Sequence, residues 1–525
     1  MRAGLARRWR VAMAGLVVVL AGCASLPPPS LRVPEHARPP SVDAPLVGIA
    51  QASLPAAQPG LSGFRLLLNA ESSFNLRVAL ARRAVQTLDA QYYLWADDGT
   101  GRGLLRELRD AAQRGVRVRL LVDDLHAGDA ALLADLAAHP NVQVRLFNPL
   151  PVRGASPAWR VLWSLHEFGR VNRRMHNKLY VADNALAVSG GRNVGDAYFM
   201  NDPDANFLDL DVLSAGPVVR ELSAVFDAYW NSDAAYPVEQ LLGRRPIDEA
   251  RTRFDAAVRD ATTRLGERQR DWAGLPSPVR QLDEGRLGLV HARARVLADP
   301  PRKAIADGDR GPTALPSVAE QALARLAQVR EEALIVSAYF IPGERGMEVI
   351  RALEAGGAGR VILVTNSIGS TDEPLAYAGY ARYRAALLRA GLRIHEVSPT
   401  LARDSGRVAY LGSAIGRLHT KTLTIDHRWL FIGSMNLDPR STRDNTEAAL
   451  EIDSPELAAQ MYRVFRDGIL AGTYRLRLAG SGDRIEWVET DWQGRQTVHA
   501  EEPHHDLWLR LKLWLLGSFV PEDLL

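Results

Sequence analysis

Two histidines, two lysines and two aspartates recur at one fixed spacing, His176-x-Lys178-xxxx-Asp183 and His419-x-Lys421-xxxx-Asp426. The chain has only four lysines, Lys178, Lys303, Lys421 and Lys512, against a total of 64 lysines and arginines, so positions 178 and 421 resist an arginine-rich bias. Two of four lysines on one template is a stronger signal than a single match to a short motif. Residues two apart on a strand project from the same face, which sets each histidine beside its lysine. Each aspartate, five residues beyond its lysine, falls where the strand ends ("ADNA" in the first copy) and is expected to organise that end rather than touch a substrate. A second strand, "LAVSGG" or "WLFIGS", then returns with Gly191 and Asn193, or Ser434 and Asn436, beside the histidine. Small residues there allow close backbone approach, and the amides add neutral donors.

A compact ammonium beside an imidazole suits a phosphate as a point charge, whereas a guanidinium would impose a wide planar fork. The lysine also disfavours the imidazolium, keeping the histidine available as a nucleophile near neutral pH. The chemistry indicated is phosphoryl transfer.

A constellation that occurs twice needs a scaffold that occurs twice, and the chain repeats itself accordingly. "LDAQYYLWADDGTGRGLL" is answered by "LIVSAYFIPGERGMEVI", "RGVRVRLLVDD" by "AGRVILVTNS", and "NVQVRLFNP" by "GLRIHEVSP". Asp209 stands eight residues before Pro217, and Glu447 eight before Pro455. Helical patterns such as "GRGLLRELRDAAQRG" end in glycine and run straight into apolar strands. The expectation is an α/β fold in two homologous halves, residues 61–238 and 313–475, joined by a partly helical connector over 239–312. Residues 476–525 form a tail ending in "LWLRLKLWLLGSFVPEDLL", read as a packed terminal element with a membrane-resting segment as the alternative. Tyr92, Tyr93, Tyr339 and Phe340 read as core first and as lining of the site second.

Composition narrows the classes further. With 525 residues, 47% hydrophobic and 24% charged, the chain has the make-up of a folded protein of two or three domains. A net charge of +3 gives little support to coating nucleic acid or membrane by bulk charge, so anion recognition must be local. The start reads as a lipoprotein signal over residues 1–22: four arginines in "MRAGLARRWR", an apolar run too short to span a bilayer, then "LAGC" with the single cysteine, Cys23, as the lipidation site. A Pro-rich tether over 23–60 follows, and the folded body is expected from about Leu61. Cleavage there leaves no cysteine for a disulfide, which suits a bacterial envelope protein facing the periplasm, with Ala24 hinting at the outer membrane.

These residues resemble the phospholipase D superfamily, in which HxKxxxxD followed by GSxN or GGxN occurs in pairs; the resemblance covers nearly all of the chain from about residue 61. "NRRMHNKLYVAD", "GGRNVGDAYF", "AGYARYR", "GSMNLDPRST" and "NTEAALEI" are similar to the C-type bacterial cardiolipin synthases. The resemblance implies two phospholipase D-like α/β/α sandwich domains related by a pseudo-twofold axis, with the active site at their interface, a phosphohistidine intermediate, no cofactor and no metal. It makes His176 and His419 nucleophile and general acid/base, with His176 favoured as the nucleophile. Lys178, Lys421, Asn193 and Asn436, with Ser434, would hold the phosphoryl oxygens, and Asp209 and Glu447 would orient the histidines. Gly191 stands where a serine is usual, so Ser434 has no twin and an asymmetric site is expected. The implied activity is a phosphatidyltransferase making cardiolipin from phosphatidylglycerol and a second phospholipid, phosphatidylglycerol or phosphatidylethanolamine, at a membrane surface. Phospholipase D-type hydrolysis is the alternative. No basic stripe interleaved with aromatics is present, so a nucleic-acid partner is not expected. A noncatalytic lipid-binding lipoprotein would not need intact His, Lys, Asp and Asn in both halves.

Overall fold

The computed structural model describes residues 26, 33–153, 164, 167–266, 270–271, 274–305, 316–357, 360–400, 415–480, 482–491 and 493–504. Cys23, the leader before it and the closing "LWLRLKLWLLGSFVPEDLL" lie outside the described residues. In the first half the strands are β1 (Ser62–Leu67), β2 (Thr87–Tyr92), β3 (Arg117–Asp123), β4 (Val142–Phe147), β5 (Leu179–Ala182), β6 (Leu186–Gly190), β7 (Ala205–Leu208), β8 (Asp211–Ala215) and β9 (Ala235–Pro237). After β10 (Val290–Ala298), the second half contributes β11 (Glu332–Ser337), β12 (Arg360–Asn366), β13 (Arg393–Val397), β14 (Ile415–Leu418), β15 (Lys421–Ile425), β16 (Trp429–Gly433) and β17 (Ala448–Asp453). Three more, β18 (Thr473–Leu478), β19 (Ile485–Thr490) and β20 (Gln496–His499), close the described chain.

Strand pairing makes the repeat explicit. The first sheet runs β9-β4-β3-β2-β5-β6-β8-β1 and the second β18-β13-β12-β11-β15-β16-β17-β10, with β2-β3-β4 and β11-β12-β13 parallel and the other neighbours antiparallel. Parallel neighbours need crossover helices: Gly99–Gln113 links β2 to β3 and Gly343–Ala355 links β11 to β12. Helices on both faces explain why β2 and β11 are buried at every position. A core joins the halves: Phe64, Leu66, Phe226 and Trp230 cluster with Leu430, Ile432, Leu450 and Ile452, all at most 2% exposed.

Three boundaries differ from the sequence reading. The tether expected over 23–60 is part of the body from Glu35 onward: Glu35 N donates to Asn231 Oδ1 (3.0 Å), Ala37 N to Asp227 Oδ2 (2.7 Å) and Ser41 N to Gln86 Oε1 (2.9 Å). Helix Pro45–Ala52 follows, with Pro45 where a missing N–H does no harm and Leu46, Val47 and Ala50 buried. The connector over 239–312 holds more than helices, because β10 antiparallel to β1 (Ser62↔Ala292) and then to β17 (Val296↔Leu450) zips the two sheets edge to edge. Its sequence, VHARARVLA, alternates apolar with basic residues, as suits a half-covered strand. At the other end, β18 crosses the expected boundary at 475, and β19 and β20 extend the second sheet.

Candidate active site

Each histidine is delivered by a backbone pairing that crosses between the halves. His176 N donates to Thr446 O (2.9 Å) and Thr446 N returns a bond to Arg174 O (2.9 Å). In the other copy β14 pairs in parallel with β7, and His419 N donates to Leu208 O (2.9 Å). The strand ends hold the preceding residues: Asp123 Oδ2 accepts from Met175 N (3.0 Å) and Asn366 Oδ1 from Leu418 N (2.8 Å).

One residue beyond the carbonyls that receive the histidine N–H groups stand the two carboxylates, so each histidine meets the acid of the opposite half. His176 Nδ1 lies 3.0 and 3.2 Å from the Glu447 oxygens, and His419 Nδ1 lies 2.6 Å from Asp209 Oδ2. With Nδ1 engaged, Nε2 of each ring is the nitrogen left for chemistry. His176, Lys178, His419 and Lys421 are all at most 7% exposed. Lys178 Nζ donates to His176 O (2.6 Å) and Lys421 Nζ to His419 O (2.5 Å), with the ammonium groups over the rings of Tyr93 (5.2 Å) and Tyr339 (5.9 Å).

Electrostatics separates the two histidines. Burial, reinforced by Lys178 and Lys421, holds the His176 imidazole well below its ordinary range, so it is neutral at pH 7. Its partner Glu447 is pushed up to about 7 by burial, against the pull of Lys178 and the Ser434 hydroxyl. Burial and Lys421 also lower His419, but Asp209 opposes them. Burial pushes Asp209 up as well, yet the facing His419 with Lys421 and Arg192 together outweigh it and the carboxyl ends below its usual range. Burial lowers both lysines, Lys178 the more deeply. The expected asymmetry therefore lies in the acids: Asp209 is a committed anion, Glu447 a carboxyl near its titration point.

The residues that back the two acids, Gly191 and Ser434, differ as well. A Cβ on Gly191 would sit 2.1 Å from Asp209 Oδ1, so the aspartate occupies the space a serine would need. Ser434 Oγ instead donates to Glu447 Oε2 (2.5 Å) and accepts from Ala448 N (3.0 Å), and Ser441 Oγ donates to Glu447 Oε1 (3.0 Å). The expectation that Ser434 holds a phosphoryl oxygen is thereby corrected, because its single proton is used on the carboxylate and the residue is fully buried. Asn193 Nδ2 donates to Tyr198 Oη (2.9 Å) while its Oδ1 accepts from Leu94 N (3.3 Å), which leaves one N–H. Asn436 Oδ1 is buried without a hydrogen-bond partner.

Asp183 and Asp426 do organise strand ends. Asp183 accepts from the N–H groups of Val85, Gln86 (2.8 Å) and Thr87 (3.0 Å), and Asp426 from those of Arg330, Glu331 (2.8 Å) and Glu332. Both carboxylates are thus occupied in fastening the chain that enters β2 and β11. Each begins a tight turn with two successive left-handed residues, Asp183–Asn184 and Asp426–His427. Of the four aromatics, Tyr93 packs edge-on against His176 (4.8 Å) and Tyr339 stands by Lys421, whereas Tyr92 and Phe340 belong to the core. The two tyrosines occupy the same position of the repeat, "LDAQYYLW" and "LIVSAYFI", a signal the sequence does contain. Tyr198 and Phe207, which pack on His419 at 5.2 and 5.1 Å, carried no such signal. Among the described residues no group of three or more His, Cys, Asp or Glu is placed to hold a metal ion, and no helix is long and apolar enough to cross a membrane.

The family described as cardiolipin synthase, PLD-like domain, matches residues 78–230 and 322–468, which contain both His-x-Lys stretches. Cardiolipin synthase C of Escherichia coli is 36% identical over 484 residues, covering 90% of this chain and 99% of its own length. Cardiolipin synthase A of Pseudomonas fluorescens is 28% identical over 400 residues, 76% of this chain and 66% of its own. Among solved structures, the phosphatidylserine synthase of Haemophilus influenzae aligns with a TM-score of 0.53 at 18% identity, covering 81% of this chain and 89% of that one, a likeness of fold.

Proposed function

The chain belongs to the phospholipase D superfamily, in its cardiolipin synthase, PLD-like domain family, and we propose that it is a phosphatidyltransferase that makes cardiolipin from phosphatidylglycerol and a second phospholipid. One observation carries the reading: two histidines, each held at Nδ1 by a carboxylate and flanked by a lysine, converge from the two halves on one site. His176, the more deeply neutral ring, attacks phosphorus through Nε2 as the P–O bond to the headgroup breaks. His419, whose protonated form Asp209 stabilises, gives its proton to the departing alcohol. The product is a phosphatidyl-histidine. A hydroxyl of phosphatidylglycerol then loses its proton to His419 and bonds to phosphorus, and the N–P bond to His176 breaks. Lys178, Lys421 and the amide of Asn436 hold the equatorial oxygens as charge builds.

The test is mass spectrometry of lipids after purified protein lacking residues 1–22 meets vesicles of phosphatidylglycerol, alone and mixed with phosphatidylethanolamine. Cardiolipin that disappears in His176→Ala supports the synthase; phosphatidic acid without cardiolipin makes the protein a hydrolase. On location, the reading is a periplasm-facing lipoprotein anchored at Cys23. The contacts that begin at Glu35 support a body held near its membrane, since the eleven residues 24–34 can span about 40 Å at most. Palmitate labelling lost in Cys23→Ser checks the anchor.

A further inference from the structure

The segment between β12 and helix Pro374–Ala381 carries Asp372 and Glu373, in "STDEP", which the chemistry above leaves unused. Asp372 Oδ1 is buried and has no hydrogen-bond partner. A buried carboxylate oxygen without a donor is costly unless something supplies one. The carboxyl is also a hydrogen-bond partner of the Tyr339 hydroxyl, and its other electrostatic neighbours are His419, Lys421 and, from the opposite half, Tyr198. Asp372 is therefore a second carboxylate on the His419 side, beside Asp209. Asp209 takes the Nδ1 edge of that ring through a direct bond, whereas Asp372 makes no hydrogen bond to the ring. The helix that follows is pinned at depth: Tyr377 donates to Glu502 and Tyr380 to Glu396 (3.0 Å), and Arg384, which opens the next helix, bonds to both acids, so the segment leads into a fixed base.

Resting on the transferase reading, we infer that Asp372 binds the incoming alcohol: it accepts a hydrogen bond from the second hydroxyl of a vicinal diol whose first hydroxyl faces His419. The first hydroxyl gives its proton to His419, forms the new P–O bond and releases His176 from phosphorus; Asp372 changes no bond and fixes which oxygen is presented. A diol is thereby favoured over a monohydric alcohol or water, neither of which spans both groups. Asp372 is thus a headgroup-binding residue that sets transfer against hydrolysis.

The experiment offers the wild-type enzyme, Asp372→Asn and Asp372→Ala vesicles of phosphatidylglycerol, with glycerol or ethanol added as soluble competing acceptors, and reads all products by mass spectrometry. Loss of a charged acceptor predicts a ratio of cardiolipin to phosphatidic acid reduced about tenfold in Asp372→Ala, with the preference for glycerol over ethanol reduced alike. Asp372→Asn, which keeps size and an acceptor oxygen, should fall between. If cardiolipin and phosphatidic acid drop together with both ratios unchanged, Asp372 is structural and the inference is overturned. If wild-type enzyme makes phosphatidic acid but no cardiolipin, the transferase reading itself fails and this inference goes with it.

Discussion

In an Asp209→Asn variant, His419 keeps its place but loses the anion 2.6 Å from Nδ1. That anion opposes the lowering of the His419 pKa by burial and Lys421, so its removal moves the pKa further down. A hydrogen bond to a charged group contributes about 1.5–3 kcal/mol, and one pKa unit corresponds to about 1.4 kcal/mol, so the expected shift is about one to two units. As proton donor to the leaving alcohol, His419 must be protonated in the free enzyme, and kcat/KM falls as pH rises through its pKa. The alkaline limb should therefore begin about one to two pH units lower in Asp209→Asn, with a roughly tenfold to hundredfold loss at neutral pH. Initial rates of cardiolipin formation across the pH range provide the readout, with Glu447→Gln as the companion. Glu447 faces the other histidine and is shared with Ser434 and Ser441, so its replacement should leave the alkaline limb in place and depress the plateau. A limb that stays put in Asp209→Asn but moves in Glu447→Gln would make His176 the proton donor and reverse the assignment; a limb unmoved in both would sink the reasoning.

Gly191→Ser, although it would restore a matching pair with Ser434, places Cβ 2.1 Å from Asp209 Oδ1; it should cost about 1–3 kcal/mol in stability, measured by denaturant unfolding, and lower activity. Lys178→Arg and Lys421→Arg keep the charge but force a planar fork into a site buried against Tyr93 or Tyr339, and each should lower kcat/KM at least about tenfold, read as initial rate. Asp183→Ala leaves the N–H groups of Val85, Gln86 and Thr87 without an acceptor and should destabilise by about 2–4 kcal/mol; calorimetry should show the lower melting temperature, while the rate per folded molecule changes far less than in His176→Ala.

The chemical groups and the repeat were legible because both are local patterns. Histidine and lysine two apart on a strand must share a face, and matched segments must build matched strands. Which carboxylate would meet which histidine was not legible, since Glu447 lies 271 residues from His176 and Asp209 lies 210 from His419. Nothing in the spacing separates a pairing within one half from a pairing across the two. Gly191 could be seen as a departure, but its cause, an aspartate filling the space, required the third dimension. The proline-rich "SLPPPSLRVPEHARPP" reads as an extended tether, and the apolar helix PLVGIAQA after it has only eight residues in which to show a helical period. β10 is not legible as a strand because its alternation is apolar against arginine and histidine rather than against neutral polar residues, although in the sheet it takes the place beside β17 that β1 takes beside β8.

The exchanged carboxylates bear on ancestry. One half by itself holds the histidine of one constellation and the acid of the other, so neither pair is complete within a single half. Two identical copies facing each other across a twofold axis would each complete the other's pair, as in an isologous dimer. Joining two such copies in one polypeptide through the segment that carries β10 releases them from the requirement to be the same. Only after that release can one acid become aspartate against glycine and the other glutamate against serine. The chain is in this sense a symmetric dimer written as a monomer, in which the two histidines no longer face the same acid.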